Sequence, residues 1–206
     1  MTGVITEAAY DNNLLRLTLD GDEAAFTTLY RRRQSAIYRF ALQMSGSVVV
    51  AEEVTQDVFM TLIHDGHRYD DSRGTVLSFL FGVARNLVLR TLERDRSNRH
   101  VSIDNSPAEN AETDAIGPLD DLTRRESVDA VRRAVLSLPE TYREVVVLCD
   151  LEEVSYADAA EALDCAIGTV RSRLHRGRAM LLEKLKIWKA PAAVQAQFGK
   201  PEACLL

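Results

Sequence analysis

Cysteine is scarce in this 206-residue chain. Cys149, Cys165 and Cys204 are scattered and odd in number. That argues against a disulfide framework and favours a reducing cytoplasm. Long apolar runs are missing too: none approaches the length of a membrane span. The opening MTGVITEAAYDNN has no basic region followed by an apolar one, so no signal peptide is expected. No segment keeps the strand period of two over a useful length. There is no phosphate-binding glycine loop, no nucleophile elbow and no zinc-type cysteine pair. His64 and His67 lie three apart near Asp65, Asp70 and Asp71. A metal site needs a fuller ligand set, and Asp-rich loops are common solvated turns. No enzyme activity, metal or cofactor is therefore expected. Net charge is −6, which argues against a nonspecific nucleic-acid coat.

What is present is ordinary in bulk and uneven in detail. Hydrophobic residues make up 46% and charged residues 27%, the balance of a soluble globular protein. The charge is segregated. From Cys165 to Lys189 there are seven Lys and Arg against one acid, a net of +6. From Glu140 to Asp164 there are eight acids against one Arg, a net of −7. Such segregation fits a nucleic-acid-facing surface on an acidic body.

The basic stretch belongs to a helical hairpin. Ser155 can cap a first helix, with Asp158 three residues on as a weak capping box. Tyr156, Ala159, Ala160 and Leu163 give that helix one apolar face. Asp164-Cys165-Ala166 interrupts the pattern, and a second helix starts near Gly168-Thr169. Its core stripe is Val170, Leu174, Gly177, Leu181 and Leu185. The opposite face carries Gly168, Thr169, Arg171, Ser172, His175 and Arg176, with Arg173 and Arg178 on its flanks. Small, hydroxylated and basic residues near a helix N-terminus suit a recognition helix in the major groove. The same pattern on its own also fits a solvated basic face.

The rest of the chain is organised around helices. Residues 1–20 read as a short lead-in with a helical turn at Leu14-Leu15. From Asp22, one face carries Phe26, Leu29, Tyr30, Arg33, Ile37, Phe40, Ala41 and Met44, and Gly46 stops the helix. A helix over about 49–63 turns Ala51, Val54, Val58 and Leu62 inward and Glu52, Glu53, Gln56 and Asp57 outward. Gly66 ends it, and a polar loop over 67–74 follows. A third helix, about 75–94, begins apolar and finishes basic. Periodicity fails from about Ser97 to Asp121, where acids, Ser, Asn, Pro and Gly dominate. Leu122, Val128, Val131, Val135 and Leu138 mark the next helix, and Pro139 opens a short one over 140–149. The expected fold is all-α: two small helical domains, 1–98 and 121–187, joined by a flexible acidic linker, 99–120. The second contains the helix-turn-helix. A tail, 188–206, has no assigned role. Cys165, in the turn beside the recognition helix, reads as a small buried hydrophobe, though oxidation there could disturb binding.

The segments AEEVTQDVFMTL (51–62), RYDDSRGTVLSFLFGVARNLVLRTLERDR (68–96), LSLPETYREVVVL, SYADAAEAL and GTVRSRLHRGRAMLLEKL (within 136–185) occur in that order and spacing. Together they resemble a bacterial RNA polymerase sigma factor of the extracytoplasmic-function (ECF) group, over about residues 21–186. The resemblance implies a transcription initiation factor, without covalent chemistry, that binds core RNA polymerase and promoter DNA and is held by an anti-sigma factor. It implies that Glu52, Glu53, Gln56 and Asp57 dock on the clamp coiled coil of the largest polymerase subunit. It implies −10 reading and melting by Asp71, Ser72, Arg73, Arg85, Asn86, Arg90 and Arg94. It places −35 reading on Gly168, Thr169, Arg171, Ser172, Arg173, His175, Arg176 and Arg178. The chain departs from the group at Ile63 and Phe79, where tryptophan is frequent, and at Asp164-Cys165-Ala166-Ile167, where the turn lacks its glycine. Two other classes compete: a helix-turn-helix repressor acting without polymerase, and a protein that binds partners without reading DNA.

Overall fold

The computed structural model describes residues 7–101 and 120–189, and every regular element among them is helical. The N-terminal half holds α1 (Glu7–Leu19), α2 (Glu23–Ser45), α3 (Val48–Asp65) and α4 (Val76–Val101). The C-terminal half holds α5 (Asp120–Leu136), α6 (Glu140–Val146), α7 (Tyr156–Ala162) and α8 (Ile167–Lys189). A 3-10 turn, Gly66–Arg68, follows α3, and α6 runs on into a π-helical turn, Val147–Leu151.

Local chemistry sets most of these limits. The Asp22 carboxylate accepts from the Ala24 and Ala25 N–H groups, and Ser47 caps α3 through the Val50 N–H. Gly46 ends α2 in the left-handed region at φ +74. A Cβ there would also stand 3.0 Å from Leu136 Cδ1, so the same glycine admits the C-terminal half. The apolar stripes fall inward as their spacing predicts. Leu29, Ile37, Phe40, Ala41 and Met44 of α2 are buried against Ala51, Val54, Val58 and Leu62 of α3. Burying each large aliphatic side chain contributes about 1.5–3 kcal/mol. The Phe40 and Phe81 rings, 5.3 Å apart, tie α2 to α4.

Two expectations change. The lead-in over 1–20 is a full helix from Glu7. Its apolar pattern is thin, so charge pairs with α2 add to the burial of Leu14 and Leu15. Asp11 is buried, accepts from Arg32 Nε at 2.9 Å and pairs with Arg33, while Glu7 pairs with Arg33 at 2.9 Å. The third helix, expected over about 75–94, also runs longer: α4 continues to Val101. A helix already nucleated propagates through polar residues that show no apolar period. The remainder of the 99–120 linker up to residue 119, and the tail from 190, lie outside the described residues.

The halves are docked rather than separate. Their buried apolar side chains form one continuous cluster. Arg143 of α6 donates to the Met44 carbonyl at 2.6 Å and to the Leu136 and Leu138 carbonyls at 2.5 and 3.0 Å. Burial among these carbonyls lowers the Arg143 pKa. Arg39 of α2 donates to both Glu152 carboxylate oxygens, at 3.0 and 2.6 Å, and this bond raises its pKa. On the other side α7 lies across α4, where a Cβ on Gly82 would meet the Ala162 carbonyl at 3.4 Å.

Candidate nucleic-acid interface

Ser155 starts the hairpin. It accepts from the Asp158 N–H at 3.1 Å and donates to the Asp158 carboxylate at 2.6 Å. The turn into α8 has no glycine, and Asp164 takes the left-handed position at φ +48. Aspartate is one of the few side chains that tolerates it. Val170, Leu174 and Gly177 then face the core. A Cβ on Gly177 would stand 2.8 Å from Val146 Cγ2 and 3.3 Å from the Tyr142 carbonyl, so α6 crosses α8 where only glycine fits. Cys165 is half-buried in the turn and packs on the apolar cluster.

The face of α8 away from that core is exposed at Gly168, Arg171, Ser172, His175 and Arg176, with Thr169 half-covered. Ser172 donates to the Thr169 carbonyl at 3.0 Å. Arg171, His175 and Arg176 have no ion-pair partner among the described residues. The two flanking arginines are engaged within the protein. Arg178 donates to both Asp150 oxygens, at 3.1 and 2.6 Å, which raises its pKa; Arg173 stands 3.6 Å from Glu144.

A second basic region lies along α4 and the loop before it. Asp70 accepts from the Ser72 N–H and hydroxyl, and the Ser72 hydroxyl contact leads in lowering its pKa. The Tyr69 hydroxyl bonds the Gly74 carbonyl at 2.9 Å and the Asn12 side chain at 2.8 Å, and its ring packs edge-on to Phe79. So α1 braces this loop, and burial raises the Tyr69 pKa. A cleft of about 660 Å³ opens here, lined by Arg73, Thr75, Asn86 and Arg90 on one side and by Glu161 and Asp164 on the other. Asp71, Asn86, Arg90 and Arg94 are exposed. Arg73 and Arg85 are taken: Arg73 pairs with Glu161 at 3.1 Å, and Arg85 with Glu144 at 2.5 Å.

The outward face of α3 forms a third surface. Glu52, Glu53, Gln56 and Asp57 are all exposed, and Met60 and Ile63 are 47% and 45% exposed beside them. Glu52 and Gln56 rim a cleft of about 630 Å³ against α2, floored by Phe26, Tyr30 and Phe59. Phe26 and Tyr30 each meet Phe59 edge to face, Tyr30 with ring centroids 4.7 Å apart.

Known proteins share this combination. The family model for sigma-70 region 2 matches residues 29–98, and that for sigma-70 region 4 matches residues 129–181. The ECF RNA polymerase sigma factor SigM of Mycobacterium tuberculosis is 34% identical over 179 residues, covering 85% of this chain and 84% of its own length. This chain belongs to the ECF RNA polymerase sigma factors. SigW of Bacillus subtilis is 27% identical over 172 residues, covering 81% of the chain and 91% of that protein. Among solved structures, CnrH in complex with the cytosolic domain of CnrY superposes with a TM-score of 0.65 at 23% identity, over 86% of this chain and 97% of that one. The sigma factor RpoE of Bartonella quintana, in complex with the anti-sigma factor NepR, gives 0.61 at 27% identity, over 79% and 97%.

The sigma factor therefore directs promoter-specific initiation by RNA polymerase and is not an enzyme. The region 2 match runs from within α2 to within α4, and the region 4 match from the middle of α5 to within α8. No described helix is long and apolar enough to cross a membrane. Sequence reasoning missed three groups here. The aromatic floor under Glu52 joins Phe26 and Tyr30 of α2 to Phe59 of α3, and spacing along one helix does not show that meeting. Asn12 and Tyr69 gave no signal because they meet across 57 residues. Glu144 has nothing in its spacing to mark it among the acids of 140–164, and it is 1% exposed.

Proposed function

We propose that this sigma factor reads −35 duplex with the outer face of α8 and opens and reads −10 DNA with the Asp70–Thr75 loop and α4. On α8 the base-edge contacts fall to Arg171, His175 and Arg176, with Gly168, Thr169 and Ser172 admitting the backbone. Arg173 and Arg178 join them once released from Glu144 and Asp150. On α4, Asn86, Arg90 and Arg94 track the single strand, with Asp71, Ser72, Arg73 and Arg85 around the extruded base. The α3 face at Glu52, Glu53, Gln56 and Asp57 docks on the clamp coiled coil of the largest core subunit, and the Phe26–Tyr30–Phe59 cleft gives that contact an apolar centre. Residues 1–98 act as the core-docking and −10 domain, and residues 121–187 as the −35 domain.

The observation that carries this reading is the division of α8. Val170, Leu174 and Gly177 are buried, while Arg171, His175 and Arg176 on the other side are exposed and unpaired. Two structural relatives are solved in complexes, one with the anti-sigma factor NepR and one with the cytosolic domain of CnrY. An anti-sigma factor acting on this chain in the cytoplasm is the matching expectation.

The test is run-off transcription with sigma-free core polymerase on fragmented genomic DNA. Discrete starts sharing −35 and −10 elements support the reading. Tight duplex binding by the protein alone, without starts, would favour a repressor.

A further inference from the structure

We propose that Tyr69 and Asn12 are positioning residues for the −10 base: a hydrogen-bond chain that starts on α1 closes the base-reading loop into one shape. The proposal rests on the assignment of the Asp70–Thr75 loop and α4 as the −10 reader.

Four consecutive residues, Asp70, Asp71, Ser72 and Arg73, are exposed between two half-buried ones, Tyr69 and Gly74. The Tyr69 hydroxyl lies 2.9 Å from the Gly74 carbonyl, so the residue before the exposed run is bonded to the residue after it. The run is thereby closed into a ring. Inside it Asp70 accepts from the Ser72 N–H at 3.0 Å and from the Ser72 hydroxyl at 2.7 Å, and its carbonyl accepts from the Arg73 N–H at 3.1 Å. Both ends are fixed as well. The Tyr69 N–H donates to the Gly66 carbonyl at 3.1 Å. A Cβ on Gly74 would stand 2.7 Å from Ser78 Oγ, and Ser78 is itself buried, donating to the Thr75 carbonyl at 2.7 Å.

The closing bond is directed from α1. The Tyr69 oxygen also stands 2.8 Å from the Asn12 side-chain oxygen. A phenol has one proton, and two acceptors cannot share it fully. The Gly74 carbonyl can only accept, whereas a half-turn of the Asn12 amide puts its nitrogen where the oxygen stood. Asn12 then donates to Tyr69 and Tyr69 to Gly74, and every group is satisfied. Asn12 has a fixed place because its neighbour Asp11 is buried and held by Arg32 and Arg33 of α2. The Tyr69 ring packs on Phe79 with centroids 5.8 Å apart, a contact that does not involve the hydroxyl. What the hydroxyl adds is the shape of the ring of exposed residues. Choosing among bases is a difference of affinities, and it needs contacting groups that a supporting shell holds in place. Helix α1 supplies that shell from 57 residues away in the chain.

The experiment is run-off transcription by core polymerase carrying the full chain, on one promoter and its base-substituted variants. It compares wild type with Tyr69→Phe, Asn12→Asp and a control, Tyr10→Phe, which removes an exposed hydroxyl from α1. Asn12→Asp replaces a donor by a carboxylate that only accepts, and so draws the Tyr69 proton away from Gly74. Transcript from the preferred promoter is divided by transcript from one with a changed −10 base, and separately by that from one with a changed −35 base. Tyr69→Phe and Asn12→Asp should lower the −10 ratio about fivefold, the factor carried by one neutral hydrogen bond, and leave the −35 ratio as in wild type. Tyr10→Phe should move neither. A role confined to stability would lower the thermal midpoint and change both ratios together or neither, and either result overturns the proposal. A fall with Tyr69→Phe but not with Asn12→Asp takes α1 out of base selection and overturns it too. Asp71→Ala separates the two assignments. If Asp71→Ala changes the −10 ratio and Tyr69→Phe does not, the positioning role is overturned and the −10 assignment stands. If neither changes it, the −10 assignment falls and the positioning role with it. Should circular dichroism show that Asn12→Asp loses helix, the uncharged Asn12→Leu takes its place with the same two outcomes.

Discussion

Glu144 of α6 lies 2.5 Å from the Arg85 guanidinium of α4 and 3.6 Å from that of Arg173 on α8. One buried carboxylate therefore ties α6 to both α4 and α8.

Replacing arginines on α8 should sort by their partners. Arg171→Ala and Arg176→Ala should weaken −35-dependent initiation, each by the ~1–3 kcal/mol of a good base-edge pair. Arg178→Ala should cost less, because Asp150 already holds that side chain and would have to release it. Transcription from one promoter carrying −35 substitutions checks the order.

Asp57→Ala should reduce affinity for core polymerase while the thermal unfolding midpoint stays within a few degrees. Asp57 is exposed on α3 and forms no ion pair among the described residues. Rim charges act mainly through association rate and salt dependence. Core-binding isotherms at two salt concentrations read the effect, and an isotherm that does not move counts against this face.

Gly177→Val should destabilise the C-terminal half by about 1–3 kcal/mol, the usual cost of overpacking. The added carbons meet Val146 and the Tyr142 carbonyl, and the latter is backbone. Urea unfolding followed by helix content would show it.

Asp11→Ala should detach α1. It leaves Arg32 and Arg33 without their buried partner, a change that costs about 3–5 kcal/mol when both charges are fully buried and less here, since Arg32 is 33% exposed. Hydrogen exchange should accelerate over residues 7–19 and, through Asn12 and Tyr69, around Gly74.

Cys149 should resist alkylation. Burial, with Asp150 adding to it, pushes its thiol up to about 11 from the ordinary value near 9. The folded state then holds a proton that the unfolded chain releases first. This contribution to stability is complete below pH 9 and lost as pH rises toward 11. Iodoacetamide labelling should be slow at pH 8 and reach the rate of the urea-unfolded chain only above about 11.

Much of this was legible along the chain because helical spacing is a local property. The stripes Leu29–Ile37–Phe40–Met44 and Val170–Leu174–Gly177 are buried as written, and Asp22, Gly46 and Ser155 cap as their chemistry requires. Helix α1 was not legible as more than a turn, since Asp11 is held by arginines more than twenty residues away. The end of α4 was missed for the opposite reason, a helix running on through residues without an apolar period.

The sequence by itself determined the helices, their inward faces, the basic recognition stripe and the family, because each depends on residues within a few turns of one another. Only the tertiary structure decided which charges are spoken for. Arg73, Arg85 and Arg173 carry the same side chain as Arg171 and Arg176, and nothing in their spacing separates them. The difference is that α7 folds onto α4 and carries Glu161 and Asp164 there, while α6 brings Glu144 between Arg85 and Arg173. Charge acts through space and is screened in salt water over about 10 Å, so a partner 59 residues away matters only once the fold has placed it.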